Sequence, residues 1–314
     1  MGCENQTVPL YFVLLGIPYP PELHGPLCFF FVCIYLLTLL SNLLVLCAVV
    51  FEPQLHKPMY WFLCHMSILD IAISTVVVPK VIAGFWEGGG IISFGGCVLQ
   101  LFFYHFVGCT ECFIFNVMAY DRFLAICRPL HYGTIMNLKS CLGLALGTWV
   151  GGCLHSAMET ALIFRLPYGQ ENEVSYIFCD IPPLLKLACA DTSLNKMVTL
   201  IDVGVVALTC VFLMLTSYVY IVSAVLRIDS ADGRRRAFST CTSHVIVVMI
   251  CYVPLFFTYF RPGVQDPLGG VVAVFYTTVT PFLNPVIYTM RNKEMRAAIL
   301  RLKGRKALWV LNSR

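Results

Sequence analysis

The chain has 314 residues, of which 59% are hydrophobic and only 12% are charged. So few polar side chains cannot cover the surface of a soluble globular protein, which excludes that class and predicts a chain that uses lipid as its solvent. The net charge of +4 is small, and the basic residues lie beside apolar stretches. They favour retention in the cytoplasm and attraction to anionic lipid, and they do not indicate nucleic-acid binding.

The apolar stretches predict seven membrane-spanning helices. A hydrocarbon core of about 30 Å needs about 20 apolar residues per helix. Stretches of that kind lie at 26–51, 59–85, 97–126, 140–164, 196–226, 240–260 and 270–290. The predicted fold is therefore an all-α membrane protein, a seven-transmembrane helix bundle. Residues 1–25 form a tail, 26–290 the bundle, and 291–314 a second tail that is basic and partly amphipathic, which predicts a short helix on the membrane surface.

The basic residues also predict the orientation of the chain. No Lys or Arg precedes Lys57, so nothing holds the first tail in the cytoplasm. With the amino terminus outside and the carboxyl terminus in the cytoplasm, sixteen of the twenty-one basic residues lie on the inner side or at its edge. The sequon Asn5-Gln6-Thr7 then lies outside, where Asn5 can be glycosylated.

A charged pair marks the inner end of the third span. Residues 118–132 read MAYDRFLAICRPLHY, with Asp121 and Arg122 where the apolar run meets charge. Such a pair is costly at this depth unless it is solvated or paired, so it indicates a working site. The stretch resembles the third-helix signature of rhodopsin-like (class A) G-protein-coupled receptors, in the form typical of the olfactory receptor family.

Other motifs extend this resemblance over nearly the whole chain. Ser217-Tyr218-Val219-Tyr220-Ile221 resembles the fifth-helix motif, RRRAFSTCTSHVIVV at 234–248 the olfactory signature of the sixth helix, and Asn284-Pro285-Val286-Ile287-Tyr288 the Asn-Pro-x-x-Tyr motif of the seventh. The resemblance implies that G-protein coupling and activation depend on Asp121, Arg122, Tyr218, Asn284, Pro285 and Tyr288.

One face of the third helix connects its two ends. Steps of three or four residues from Arg122 reach Met118, Phe115, Glu111, Gly108 and Tyr104, which share that face. The stripe would join a ligand cavity to the inner arginine, as a transmembrane relay requires. His105 is left open, as a satisfied interior residue or as a ligand contact.

Polar groups inside the spans must face the bundle interior, because lipid would leave them without partners. Asn42, Asp70, Glu111 and Asn284 could form one hydrogen-bonded cluster. That cluster is either a contact between helices or a site where Asp70 and Glu111 share a proton or hold a sodium ion. The family resemblance favours the cation, and we expect no other cofactor or metal.

Most of the sixteen cysteines lie inside spans, where thiols behave as small apolar groups. Cys97, Cys179 and Cys189 lie on the outer side. The resemblance implies a disulfide between Cys97 and Cys179. In the family, Cys189 has a loop partner where this chain has Gly169, so its pairing stays open.

The resemblance implies an odorant receptor of the plasma membrane. A small volatile would bind in the outer half of the bundle and activate the olfactory stimulatory heterotrimeric G protein, which raises cyclic AMP. The expected ligand-binding residues are Tyr104, His105, Gly108, Cys109, Asp202, Val206, Tyr252, Leu255, Phe256, Tyr259 and Thr277. Asp202 has two interpretations, a structural pair with a neighbouring helix or a pocket group.

Other functions have weaker support. The alternative is a receptor for a non-volatile metabolite. A retinal protein would need a lysine within 270–290, and none is there. An enzyme would need a nucleophile with its base or a metal cluster, which we do not find, so we expect no enzymatic activity.

Overall fold

The computed structural model describes residues 9–87, 90–227, 229–259 and 267–312. Within those ranges seven helices are long and apolar enough to cross a membrane, as the hydropathy pattern predicts. The sequon residue Asn5 lies outside the described residues.

The elements follow one another in a simple order. They are β1 (Tyr11–Leu14), α1 (His24–Phe51), α2 (Pro58–Glu87), β2 (Gly90–Ser93), α3 (Phe94–Cys127), α4 (Pro129–Ile135), α5 (Leu138–Phe164), β3 (Glu173–Val174), α6 (Ile181–Leu187), α7 (Ser193–Leu226), α8 (Ala231–Tyr259), α9 (Pro267–Val274), a π-helical turn (Phe275–Val279), α10 (Thr280–Arg291) and α11 (Lys293–Asn312). The spanning helices are α1, α2, α3, α5, α7, α8 and the continuous run from α9 to α10.

Local signals explain where two of the central helices begin. The Ser93 hydroxyl accepts a hydrogen bond from the backbone N–H of Gly96 at 3.1 Å and caps α3. The Asn137 side chain accepts from the N–H of Ser140 at 3.0 Å and caps α5. Each cap satisfies a donor that the first helical turn leaves free.

The helix α3 is the centre of the bundle. The predicted stripe on this helix is buried at Tyr104, Glu111, Phe115 and Met118. By contrast, α1 exposes large leucines, which suits contact with lipid because lipid tails solvate apolar side chains. The stripe therefore faces the bundle interior.

A small sheet covers one end of the bundle and was not predicted from the sequence. Its strand order is β2-β1-β3, with β1 antiparallel to β2 and parallel to β3. The buried ring of Phe12 packs edge-on against Tyr168, with centroids 5.8 Å apart. The tail before the first span is thus tied to the two loops that follow α2 and α5.

A disulfide joins Cys97 at the start of α3 to Cys179 in the loop before α6, with an S–S distance of 2.02 Å. This confirms the pairing implied by the resemblance. We call this side of the bundle the disulfide end and the opposite side the Arg122 end. Cys189 is disulfide-bonded as well, so it is paired even though Gly169 stands where the family has the partner cysteine.

At the Arg122 end, α11 packs against the turn between α1 and α2. Lys57 Nζ lies 2.8 Å from Glu294 Oε2, and Arg301 Nε lies 2.9 Å from Glu52 Oε2. Met295 of α11 is buried. The last helix is therefore held by two ion pairs and an apolar contact.

Candidate functional site

A cavity lies inside the disulfide half of the bundle, between α3, α5, α7, α8 and the π-helical turn. The space between these helices amounts to about 480 Å³ when the open solvent at its mouth is counted. Its wall is formed by Tyr104, His105, Gly108, Cys109, Cys112, His155, Val203, Val206, Ala207, Leu255, Tyr259 and Tyr276. This mixture of aromatic, aliphatic and few polar groups suits a small organic ligand.

Seven of the residues expected to bind ligand lie on this wall. They are Tyr104, His105, Gly108, Cys109, Val206, Leu255 and Tyr259. The other four expected residues, Asp202, Tyr252, Phe256 and Thr277, do not lie on the wall. Asp202 lies beside His155, and Tyr252 lies near the thiols of Cys112 and Cys210. The Thr277 hydroxyl donates to the carbonyl of Ala273, and Phe256 packs against the core.

Five wall residues were missed by the sequence analysis: Cys112, His155, Val203, Ala207 and Tyr276. Helical periodicity could have found three of them, since Cys112 follows Gly108 by four positions, Val203 precedes Val206 by three, and Ala207 follows Val203 by four. His155 and Tyr276 come from helices whose rotation only the tertiary structure defines.

The loop that carries the disulfide contacts three residues of the cavity wall. Asp180 follows Cys179 directly, and its Oδ1 accepts a hydrogen bond from the Tyr259 hydroxyl at 3.0 Å and lies 3.2 Å from Nε2 of His105. Phe178 packs on Tyr104 with ring centroids 4.5 Å apart. His105 is thus both a satisfied interior residue and part of the wall, so its two interpretations are compatible.

Below the cavity lie the two carboxylates proposed to hold a cation. Glu111 Oε2 accepts from the Tyr276 hydroxyl at 2.9 Å, and Asp70 Oδ1 accepts from Nδ2 of Asn284 at 2.8 Å. Both acids are buried and close enough to interact electrostatically. Asn42 instead donates to the carbonyl of Pro281 at 3.0 Å. The polar groups thus lie close together, but Asn42 is bonded to the backbone and not to the acids.

The Arg122 end is closed by a compact set of polar contacts. Arg122 Nη2 lies 2.6 Å from Asp121 Oδ2, and the Tyr132 hydroxyl donates to Asp121 Oδ1 at 2.7 Å. Burial and the nearby Asp121 carboxylate raise the pKa of Tyr132, which keeps that donor protonated. Tyr218 of α7 hydrogen-bonds to Nδ1 of His244 in α8, so its hydroxyl is engaged with α8.

The Asn-Pro-x-x-Tyr residues lie in the same interior. Asn284 is fully buried and donates a hydrogen bond to Asp70. Tyr288 is buried one helical turn further along α10. Pro285 lies inside α10. The motif therefore links the acids below the cavity to the Arg122 end.

Comparison of the sequence with known proteins assigns the chain to a family. A sequence profile described as "Olfactory receptor" matches residues 31–306. The chain belongs to the olfactory receptor family. It is 59% identical to olfactory receptor 10G6 of Homo sapiens over 302 residues, which are 96% of this chain and 91% of that protein.

Two further human relatives agree with this assignment. Olfactory receptor 10G2 is 52% identical over 292 residues, 93% of this chain and 94% of that protein, and olfactory receptor 10G7 is 52% identical over 302 residues, 96% and 97% respectively. This olfactory receptor is therefore a multi-pass plasma-membrane protein that acts as an odorant receptor coupled to G proteins. Family membership confirms the expectation that it is not an enzyme.

Proposed function

We propose that the ligand of this olfactory receptor is a small volatile bound in the cavity, and that its partner is a stimulatory heterotrimeric G protein, which raises cyclic AMP. The main support is that one buried helix, α3, supplies both the cavity wall and Arg122. The ligand-binding residues on the wall and the activation residues at the opposite end are then two parts of one packed unit.

The helix α8 provides the coupling between the two ends. Leu255 and Tyr259 of α8 line the cavity, while His244 of the same helix holds Tyr218. A ligand that binds more tightly to one packing of α8 shifts the equilibrium towards that packing. Release of Tyr218 from His244 would let its hydroxyl approach Arg122, opening a cleft for the G protein at the Arg122 end.

The orientation in the membrane follows from the disulfide. Disulfides form and persist in oxidising compartments, so we propose that the disulfide end faces outward, with Asn5 as a glycosylation site. The Arg122 end then faces the cytoplasm, where the basic α11 lies against anionic lipid.

We also propose that Asp70 and Glu111 hold a sodium ion in the resting receptor. Two buried carboxylates this close repel one another unless a proton or a cation lies between them. Thermal unfolding of the purified receptor should occur at higher temperature in sodium than in a large organic cation at equal ionic strength. Identical melting curves, or a sodium effect that survives in Asp70→Asn, would contradict the sodium site.

The proposed function is tested by dose–response measurements with a cyclic-AMP readout, using panels of volatiles and of non-volatile metabolites. Val206→Phe fills part of the cavity and should raise the half-maximal concentration at least about fivefold, since overpacking costs about 1–3 kcal/mol. Val205→Phe is the matched control, because Val205 is 59% exposed on the lipid side. Arg122→Ala should abolish the response at unchanged surface expression.

The two panels separate the candidate ligands. Responses to metabolites alone would favour the alternative, a receptor for a non-volatile ligand. Equal effects of Val206→Phe and Val205→Phe would show that the ligand binds elsewhere.

A further inference from the structure

The second cysteine of the loop at the disulfide end is bonded, and the other cysteines of the chain limit the choice of its partner. Cys189, between α6 and α7, is disulfide-bonded. Every other cysteine of the described residues is either part of the Cys97–Cys179 disulfide or free. The one cysteine of the sequence that remains is Cys3, which lies outside the described residues. By elimination, Cys3 is the partner that this chain can offer to Cys189.

The described part of the amino-terminal tail leads towards the same loop. The tail strand β1 pairs in parallel with β3, with Val13 opposite Glu173 and Leu14 opposite Val174. Because parallel partners run in the same direction, going back along β1 corresponds to going back along the loop from Val174. The described tail, followed back from Leu14, therefore runs towards Tyr168.

Tyr168 is next to the bonded cysteine. It forms an antiparallel bridge with Ala188, the residue that precedes Cys189. The buried ring of Phe12 packs against Tyr168, with ring centroids 5.8 Å apart. Nine positions separate Cys3 from Phe12, and a chain of that length can extend over about 30 Å. The tail is therefore long enough for Cys3 to reach Cys189.

We propose that Cys3 and Cys189 form a second disulfide, which fastens the amino-terminal tail to the loop before α7. This bond replaces the bridge within the loop that Gly169 excludes. Both segments belong to the disulfide end, and the Cys97–Cys179 disulfide at the same end requires an oxidising compartment. The tail then becomes a strap that is fixed at one end by Cys189 and at the other by α1.

The strap lies against the loop that contacts the cavity wall. The backbone N–H of Gly16 donates to the carbonyl of Tyr176 at 3.1 Å. Tyr176 packs on Phe178 with ring centroids 5.2 Å apart, and Phe178 packs on Tyr104 of the wall. A covalent bond at the far end of the strap limits the arrangements open to the tail when it detaches, so it stabilises this end of the receptor.

Peptide mapping of the purified wild type tests the pairing directly. The receptor is alkylated with N-ethylmaleimide without reduction, its N-linked glycans are removed, and it is cleaved after Tyr11 and after Lys186. The peptide that contains Cys189 should be joined to the peptide that contains Cys3, and reduction should separate the two. A Cys189 that is alkylated, or that is joined to any other cysteine, would overturn the proposal.

Reciprocal variants give a second test. In Cys3→Ser the thiol of Cys189 should become reactive towards N-ethylmaleimide, and in Cys189→Ser the thiol of Cys3 should become reactive. Cys153→Ser is the matched control, because Cys153 is a free and exposed cysteine of α5, and it should leave the joined peptides intact. Single variants that release no new thiol would contradict the pairing.

Thermal unfolding tests what the disulfide does. Cys3→Ser, Cys189→Ser and the double variant should each lower the melting temperature by the same amount, about 4 °C or more, because one bond is lost in all three. Cys153→Ser should not change it. Losses that add up in the double variant would show that the two cysteines act separately, and unchanged melting temperatures would overturn the stabilising strap. If the variants express poorly, the wild-type peptide map decides the pairing by itself.

Discussion

A close contact between α3 and α5 gives a stability prediction at Gly152. A Cβ built on Gly152 of α5 would lie 2.1 Å from the Thr110 hydroxyl oxygen, 3.0 Å from the Phe106 carbonyl oxygen and 3.1 Å from the Thr110 backbone nitrogen of α3. Two of these three atoms belong to the backbone, so a side-chain rotation cannot relieve the contact. Gly152→Ala must push α5 away from α3.

The size of the effect follows from this geometry. Overpacking of a well-packed core costs about 1–3 kcal/mol, and Thr110 would also lose its 2.7 Å hydrogen bond to the Phe106 carbonyl if its hydroxyl rotated away. At roughly 2–4 °C per kcal/mol, Gly152→Ala should lower the melting temperature by about 2–12 °C.

The assay is thermal unfolding of the detergent-purified receptor, with cell-surface expression as a second readout. Gly147→Ala is the matched control, since a Cβ at Gly147 of the same helix meets nothing within 4 Å and alanine is the better helix former. The control should be neutral or slightly stabilising. Equal melting temperatures for the two variants would refute the reasoning, because they would mean that α3 and α5 are not in backbone contact at Gly152.

Two further predictions concern the Arg122 end. Tyr132→Phe removes one hydrogen-bond donor from the buried Asp121, which should weaken the closed arrangement by about 1 kcal/mol and raise basal cyclic AMP about fivefold. The control is Tyr120→Phe, at an exposed tyrosine of the same end, which should leave basal cyclic AMP unchanged. Basal signalling of Tyr132→Phe that is unchanged or lower would contradict this prediction. The hydrogen bond from Lys57 lowers the pKa of Glu294. This pair therefore stabilises the docked α11 at pH values above the ordinary glutamate pKa, and the stabilisation is lost as the pH falls through the lowered pKa. Because both side chains are about half exposed, the effect should be at most about 1 kcal/mol and should shrink in high salt. Acid unfolding curves of the wild type and Glu294→Gln should converge at low pH, and curves that stay apart there would show that the carboxylate charge is not involved.

The sequence determined the architecture of this receptor. Seven apolar runs of 20 residues or more in a chain that is only 12% charged leave few alternatives, because backbone polar groups in lipid must be satisfied internally and runs of this length do so as helices. The helical period of α3 also placed Tyr104, Glu111 and Arg122 on one buried face, since that relation is local and depends only on the geometry of one helix. Local motifs likewise located the Asp121–Arg122 pair and the Asn-Pro-x-x-Tyr segment.

The composition of the site was decided by the tertiary structure. His155 meets Asp202 across two helices, Asp180 reaches His105 from a loop, and Tyr276 reaches Glu111 from a π-helical turn. Each of these contacts depends on how far one element is rotated or shifted relative to another, and side-chain packing sets that rotation. A hydropathy pattern tells which face of a helix avoids lipid, but it cannot tell which residue of a distant segment that face will meet.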